Sequence, residues 1–456
     1  MMARTKGHFD DMWDVFGFAQ SPYRVTPLAA NDRDMELFTS RSRGESAEFL
    51  SMMSDDERSV VILSGDIGIG KTSFFNIQQY LLVSGKAGWC PKLIPCSRLT
   101  SLMAKDEPNS LARRIVYDAV QNIQAYCDST KQTVQPECQA VSDWMSHRPK
   151  PAGWQISAGV LGAGRQVQLP PVGDTTLETW RTILEALAYE ARRSLGVKGF
   201  IVCLDNAETL SQSELAQLAM SYRDTLFTIE GIWWVLIGQS GLYRQIDQID
   251  RRVSQRISGS GVELSHFTLE EFHKMIEQRV QVYKHRDDAK SPLSKHIHDL
   301  LFQASCGEIR FVFDTANTLV KKTEARVRLQ ASGNLPENMA SPEVLQRLLT
   351  ETLQKELIDR QIPDQWAIPV LGSMSEQAIT DLHEAASTRD ILEKFGDDTI
   401  RKDAFERFGF VSAEEFVTGF LEPLRSRGFL GRVGAAEGEY RLKSFAWLAR
   451  QLRSGG

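Results

Sequence analysis

The residues best suited to chemistry in this sequence lie in one loop, Gly65-Asp66-Ile67-Gly68-Ile69-Gly70-Lys71-Thr72. Gly65, Gly68 and Gly70 let backbone N–H groups turn inward on an anion, and the start of a following helix adds its positive end. Lys71 supplies a compact charge for the β and γ phosphates of a nucleotide, and the Thr72 hydroxyl is a ligand for Mg²⁺. Asp66, Ile67, Ile69 and the next residue, Ser73, are counted with the loop as binding positions. The flanks agree. Val60-Val61-Ile62-Leu63 has strand composition, and Ser73 to Leu82 reads as a helix. Strand, glycine-rich turn and helix form the context of a Walker A loop, so ATP and Mg²⁺ are the expected cofactors.

A second carboxylate belongs with it. Phe200-Ile201-Val202-Cys203-Leu204-Asp205 is an apolar run ending in Asp, the pattern of a buried parallel strand presenting Asp205 at its C-terminal edge. Downstream of a Walker A loop, Asp205 reads as the Walker B residue in the Mg²⁺ shell. Another buried strand, Gly231 to Gly238, ends beside polar Gln239 and Ser240. The segment Asp247 to Ile257 then carries Arg251, Arg252 and Arg256. A helix over Cys306 to Lys322 has Arg310 in its first turn.

Several elements must position these groups. The 456 residues are long enough for two or three domains, and 42% apolar with 25% charged residues is the balance of a soluble globular chain. No apolar run approaches the ~20 residues of a membrane span, no secretory leader is visible, and six scattered cysteines suit a reducing interior. A cytoplasmic protein without membrane contact is expected. A net charge of −6 advertises no nucleic acid globally, so DNA would need a local patch. Five parts follow along the chain: an arm over 1–58, an ATPase core over 59–260, a helical lid over 261–325, a linker over 326–341 and a last domain over 342–456. In the arm, 37–53 has a helical rhythm in its second part, with Phe49, Leu50 and Met53 on one side, and the arm reads either as a docking segment or as a cover for a base. A hairpin is expected over Trp154 to Pro171. The last domain reads as helices near Pro342–Arg360, Ser375–Ala385 and Ser412–Arg427, then a hairpin over Gly428 to Lys443 with its turn at Gly434 to Gly438. That order suggests a winged helix.

The order of GDIGIGKT, IVCLDNAETL, WWVLIGQSG, RRVSQRI and CGEIR resembles an AAA+-type ATPase, most of all the origin-recognition and replication-initiator clade. The resemblance spans about 30–325 together with the C-terminal architecture. It implies an α/β fold, a P-loop NTPase parallel sheet with a helical lid, followed by an α+β winged-helix domain. It also implies ATP hydrolysis in a homo-oligomer, acting with DNA in replication, transposition or mobile-element defence. By the same resemblance Gln239 (or Ser240) matches sensor 1, Arg256 the arginine finger that reaches a neighbouring subunit, and Arg310 the sensor 2 arginine. One departure stands out: the family's catalytic Glu after the Walker B Asp is Asn206 here, an amide that orients water without taking its proton. Glu208, two residues on, is the substitute base. Slow hydrolysis is therefore expected, and the chain also resembles STAND and KAP switch ATPases, whose C-terminal module binds a protein partner; a third reading is a non-hydrolysing nucleotide scaffold. Residues 340–456 hold fifteen Lys and Arg against nineteen Asp and Glu, a net of −4, a weak footprint for DNA. Arg432, Arg441, Lys443, Arg450 and Arg453 gather near the hairpin and final helix.

Overall fold

The computed structural model describes residues 13–146 and 154–330, with short breaks at 15, 55–56, 87, 89, 161–162, 171–174, 288, 290 and 306–307. Beyond 330 it describes only 343–344, 347–348, 350–351, 355, 386–387, 415, 417–422, 425, 430–432 and 439–442. In chain order the main elements are α1 (Asp32–Glu36), α2 (Glu45–Met52), β1 (Ser59–Ser64), α3 (Lys71–Val83), β2 (Leu93–Ile94) and β3 (Thr100–Ser101). Next come α4 (Pro108–Thr130), α5 (Pro136–Met145), β4 (Trp154–Val160), β5 (Ala163–Leu169), α6 (Leu177–Leu195) and β6 (Gly199–Asp205). Then follow α7 (Gln212–Arg223), β7 (Ile232–Gly238), α8 (Leu242–Ile249), α9 (Arg251–Ser254), β8 (Val262–Glu263), α10 (Leu269–Tyr283), α11 (Lys295–Ser305) and α12 (Ile309–Gln330).

The central sheet is parallel, in the order β2-β6-β7-β1-β8, with β3 pairing further along β6. The interior positions of β1, β6 and β7 (Val60–Leu63, Phe200–Leu204 and Ile232–Ile237) are all apolar because both faces of the sheet are covered. Successive side chains alternate: Val60, Ile62, Val202 and Trp234 enter the core beneath α4, α6 and α7. Val61, Leu63, Ile201 and Trp233 enter the core beneath α2 and α3. Each large apolar side chain taken fully out of water contributes about 1.5–3 kcal/mol. Three helices begin at capping boxes, Thr176 with Thr179, Ser211 with Glu214 and Thr268 with Glu271, which satisfy N–H groups that helix starts leave open.

The arm is stitched to both the sheet and the lid. Leu28 N–H donates to Ser73 Oγ at 3.1 Å, and Asn76 Nδ2 donates to the Leu28 carbonyl at 2.8 Å, so the arm lies along α3. Further back, Asn317 Nδ2 donates to the Tyr23 carbonyl at 2.6 Å and Ala19 N–H to the Tyr283 carbonyl at 2.8 Å. The helical rhythm in the second part of 37–53 is realised from Glu45, after Gly44 takes a left-handed conformation as the N-cap of α2. Residues 37–44 form no helix because Arg41 and Thr39 bond instead to the β8–α10 connection and to α10. At the other end α12 runs to Gln330, into the stretch read as linker: Arg326-Val327-Arg328-Leu329-Gln330 contains no helix breaker.

Two antiparallel strands occur where the inserted hairpin was expected, with Val160 opposite Ala163. In the last domain β9 (Ala386–Ser387), β10 (Leu430–Arg432) and β11 (Glu439–Leu442) form a small antiparallel sheet, with Leu430 opposite Leu442 and Tyr440 opposite Ala386. The turn at Gly434 to Gly438 and most of the three C-terminal helices read from the sequence lie outside the described residues.

Gly199 shows how tightly the sheet edge is closed. A Cβ there would lie 1.9 Å from the Gly231 carbonyl oxygen, which accepts from Phe200 N–H at 3.0 Å. Gly199→Ala must separate β6 from the approach to β7, and a destabilisation of roughly 2–4 kcal/mol is expected. Urea unfolding reads it as a lower midpoint with unchanged slope, and a loss under ~0.5 kcal/mol would contradict the packing described.

Candidate functional site

The loop from Gly65 to Gly70 leaves the C-terminal end of β1, which is hydrogen-bonded on both sides and so fixes where the loop begins. Gly68 and Gly70 have φ of 78° and 96°, which only glycine adopts without strain. Gly70 is the N-cap of α3 and has no side chain to cap it, so the first N–H groups of α3 are left to an external acceptor. Lys71 Nζ donates to the carbonyls of Gly65 at 2.8 Å and Asp66 at 3.1 Å, holding the ammonium across the loop. Asp66 is gripped in turn by Ser240 Oγ at 3.3 Å and by His266 Nε2 at 2.8 Å.

These groups open on a cavity of about 190 Å³. Gly65 is the one loop glycine outside its wall; Asp66 to Ser73 all line it. Asp205, Asn206 and Glu208 join them from the end of β6. Burial pushes the Asp205 carboxyl above its usual range, against the opposing pull of the Asn206 N–H (2.9 Å) and of Lys71. Asn206 is left-handed (φ 64°), and its Nδ2 donates to Ser101 Oγ at 2.9 Å, so its amide is tied to β3. Glu208 is exposed on a single 3₁₀ turn, Ala207–Thr209. Arg310 reaches the same cavity from the first turn of α12, where a Cβ on Gly68 would meet Glu308 and Arg310 at 3.6 and 3.7 Å.

Two positions fall elsewhere. Gln239 does not line the cavity; its neighbour Ser240, the alternative at that strand end, contacts the loop through Asp66. Arg256 lies away from the cavity at a surface corner, half-exposed, with Nη2 3.8 Å from Asp224 Oδ1 in an ionic cluster with Arg223, Asp250 and Arg252. Exposed pairs of this kind contribute about 0–1 kcal/mol each.

Sequence reasoning missed two residues. Arg41, 6% exposed, donates from Nη2 to the Ile69 carbonyl (2.7 Å) and from Nε to that of Ser265 (2.9 Å), and stacks 4.0 Å over Phe267. It clamps the phosphate loop from behind. Arg279, also 6% exposed, donates from Nη1 to the carbonyls of Pro22 (3.3 Å) and Arg24 (3.0 Å). Burial lowers both guanidinium pKa values to about 10, so both remain charged at neutral pH. Neither has a sequence signature, because the carbonyls they serve lie far along the chain. The arm also supplies Arg24 to Leu28 and Leu37 to Thr39 to the lining, together with Met275 and Phe313.

The residues fit a magnesium-bound triphosphate. The uncapped start of α3 and Lys71 suit the phosphates, and Thr72 with Asp205 suits the cation. Among the described residues no cluster of three or more His, Cys, Asp or Glu offers a metal site of its own. No described helix is long and apolar enough to cross a membrane.

No family model matches the chain, and no curated protein does. A solved structure, the Walker-type ATPase of Pyrococcus abyssi, matches 95% of this chain and 100% of its own at 12% identity and a TM-score of 0.51. The fold is that of a P-loop NTPase. The Aeropyrum pernix ORC2 protein, in its ADPNP–ADP complexes, matches 91% of this chain and 93% of its own at 15% identity and a TM-score of 0.43. The Aeropyrum pernix ORC1 protein in complex with DNA matches 93% and 96%, again at 15% and 0.43. Origin-recognition proteins, the group expected from the sequence, are thus among the structures to which this P-loop NTPase fold is similar.

The raised pKa of Asp205 has a measurable sign. A carboxyl whose folded pKa lies above its unfolded value contributes stability below the unfolded value, which is lost as pH rises through the folded one. Asp205→Asn, neutral throughout, is expected to raise the Tm of the nucleotide-free protein at pH 7 by on the order of 1 °C. The difference should close as pH falls below about 4. The same variant should lose the Mg²⁺-dependent part of nucleotide affinity. Thermal melts across pH check this, and a Tm lowered at pH 7 would contradict the burial assigned to Asp205.

Proposed function

We propose that the chain is a nucleoside-triphosphate-binding ATPase of AAA+ type that hydrolyses ATP slowly and assembles with copies of itself. The observation that carries the reading is the convergence of Lys71 and Thr72, Asp205 and Arg310 on one cavity from three separate elements. Phosphoryl transfer to water needs positioning and charge stabilisation more than covalent chemistry. The N–H groups of the loop and Lys71 bind the β and γ phosphates. Thr72 and Asp205 hold Mg²⁺, which when bound neutralises charge between those phosphates. Arg310 offers a guanidinium to the γ-phosphate, and Ser240, or Gln239 beside it, orients the water side of the site. Glu208 is the carboxylate left to accept a proton from attacking water. Asn206, with its amide committed to Ser101, favours a second reading: a switch held by nucleotide and turned over rarely.

DNA is the partner we assign to the C-terminal module, on the basic residues Arg432, Arg441, Lys443, Arg450 and Arg453 that cluster there in sequence. Under the switch reading a protein partner takes its place, and salt-dependent binding separates the two. The working compartment that suits either is the cytoplasm.

Glu208→Gln should lower kcat for phosphate release by roughly 10²–10⁴-fold with nucleotide affinity kept. Unchanged turnover would remove Glu208 as base. Asn206→Glu is not the simple rescue it would be elsewhere, since a left-handed glutamate is strained by roughly 1 kcal/mol.

Arg256, lying away from its own cavity, is assigned to a neighbouring copy's nucleotide. Specific ATPase activity should then rise with protein concentration, and Arg256→Ala should keep ATP affinity while losing that rise. Mixing Arg256→Ala with Lys71→Ala, which cannot bind ATP but keeps the arginine, should restore part of the activity. Light scattering with steady-state assays reads both. A protein that stays monomeric with MgATP, at constant specific activity, would refute the assignment.

A further inference from the structure

Arg279 carries a buried charge whose hydrogen bonds are incomplete. Its Nη1 serves the carbonyls of Pro22 and Arg24, and its guanidinium lies 4.3 Å from the ring centre of Phe313 on α12. Its Nε–H is buried with no hydrogen-bond partner, and the side chain lines the cavity. A buried charged donor left unpaired is costly, so a ligand that brings an acceptor to it gains affinity and selectivity together. The surrounding wall narrows the class of ligand. Phe313, one helical turn beyond Arg310 and covered by the Arg279 guanidinium, lines the cavity with Met275 and Pro27, an apolar slot beside the unpaired Nε–H. An apolar slot with one cationic donor at its edge suits a flat heteroaromatic ring bearing a lone-pair nitrogen. A bare polyphosphate would leave the slot empty.

We infer that Arg279 is the base-reading residue of the site: its Nε–H donates to a ring nitrogen of a purine held in that slot, while its Nη1 holds the Pro22–Arg24 strap beside that base. The inference rests on the nucleotide reading of the cavity and adds to it the group that selects the base. Arg279 serves the bound nucleobase and takes no part in the transfer step.

Calorimetric titration of the full chain with Mg²⁺ tests it, using ATP, tripolyphosphate and the 1-deaza, 3-deaza and 7-deaza analogues of ATP. Wild-type protein should bind one deaza analogue more weakly than ATP by roughly ten-fold or more, and the other two like ATP. Arg279→Met should lose a similar factor for ATP, keep tripolyphosphate affinity within about twofold, and no longer distinguish that analogue. Three results would each overturn the inference: all three analogues binding the wild type like ATP, Arg279→Met binding ATP at full strength, or Arg279→Met losing ATP and tripolyphosphate equally. The wild-type series decides the matter even where the variant does not fold. Wild-type protein that binds neither ATP nor tripolyphosphate is a different failure, that of the nucleotide reading itself.

Discussion

The start of α3 is where the structure is most constrained. Its first backbone N–H groups have no intrahelical acceptor, and Gly70 brings no side chain to cap them. Such groups bind an anion only when they are aimed, and aiming requires a loop that cannot drift. Three contacts fix it: β1 is paired on both edges, Asp66 is held by Ser240 and His266, and the Ile69 carbonyl by Arg41. The free valence of one helix end thus explains why the ends of β7, β8 and the arm all gather at this point.

The far wall obeys a different rule. Arg41 and Arg279 are buried cations, and burial of a charge is tolerable only with good partners. Both find backbone carbonyls, those of Ile69 and Ser265 for the first and of Pro22 and Arg24 for the second. The consequence is a continuous set of bonds: the arm is tied to α10 by Arg279 and to α12 by Asn317. The arm, the phosphate loop, α10 and α12 thus all contribute to the lining of one cavity.

What could be read from the sequence was what is local. The glycine loop, the apolar strands and Asp205 at a strand end are each written within ten residues, and they occur in the folded chain where periodicity and motif placed them. Arg310 was legible because it opens a helix. Arg41 and Arg279 were not, since their carbonyl partners lie 28 and 224 residues away for the first and 257 and 255 for the second, and arginine at those positions has no pattern. At the end of β7 the sequence could not choose between Gln239 and Ser240, because a fully apolar strand conceals its phase until the register is known. In the arm the helical rhythm with Phe49, Leu50 and Met53 on one side was legible as the buried face of α2, whereas the open course of 38–44 was not, since it depends on long-range bonds of Thr39 and Arg41.

Electrostatics joins these pieces. The chain carries a net charge of −6, yet Arg24, Arg41, Lys71, Arg279 and Arg310 line the cavity against Asp66, Asp205 and Glu208. Global charge is silent about such a focus. Arg41 and Arg279 have given part of their hydrogen bonding to carbonyls, but their charge still contributes to the potential in a cleft where water screens poorly. At Asp205, by contrast, burial outweighs the attraction of Lys71 and the carboxyl is pushed toward its neutral form. A carboxyl in that state gains from any further positive charge placed beside it, since the ionised form is then repaid for its desolvation. On the nucleotide reading proposed above, the site favours phosphate and cation together more than either alone, through Lys71, Thr72 and the burial of Asp205.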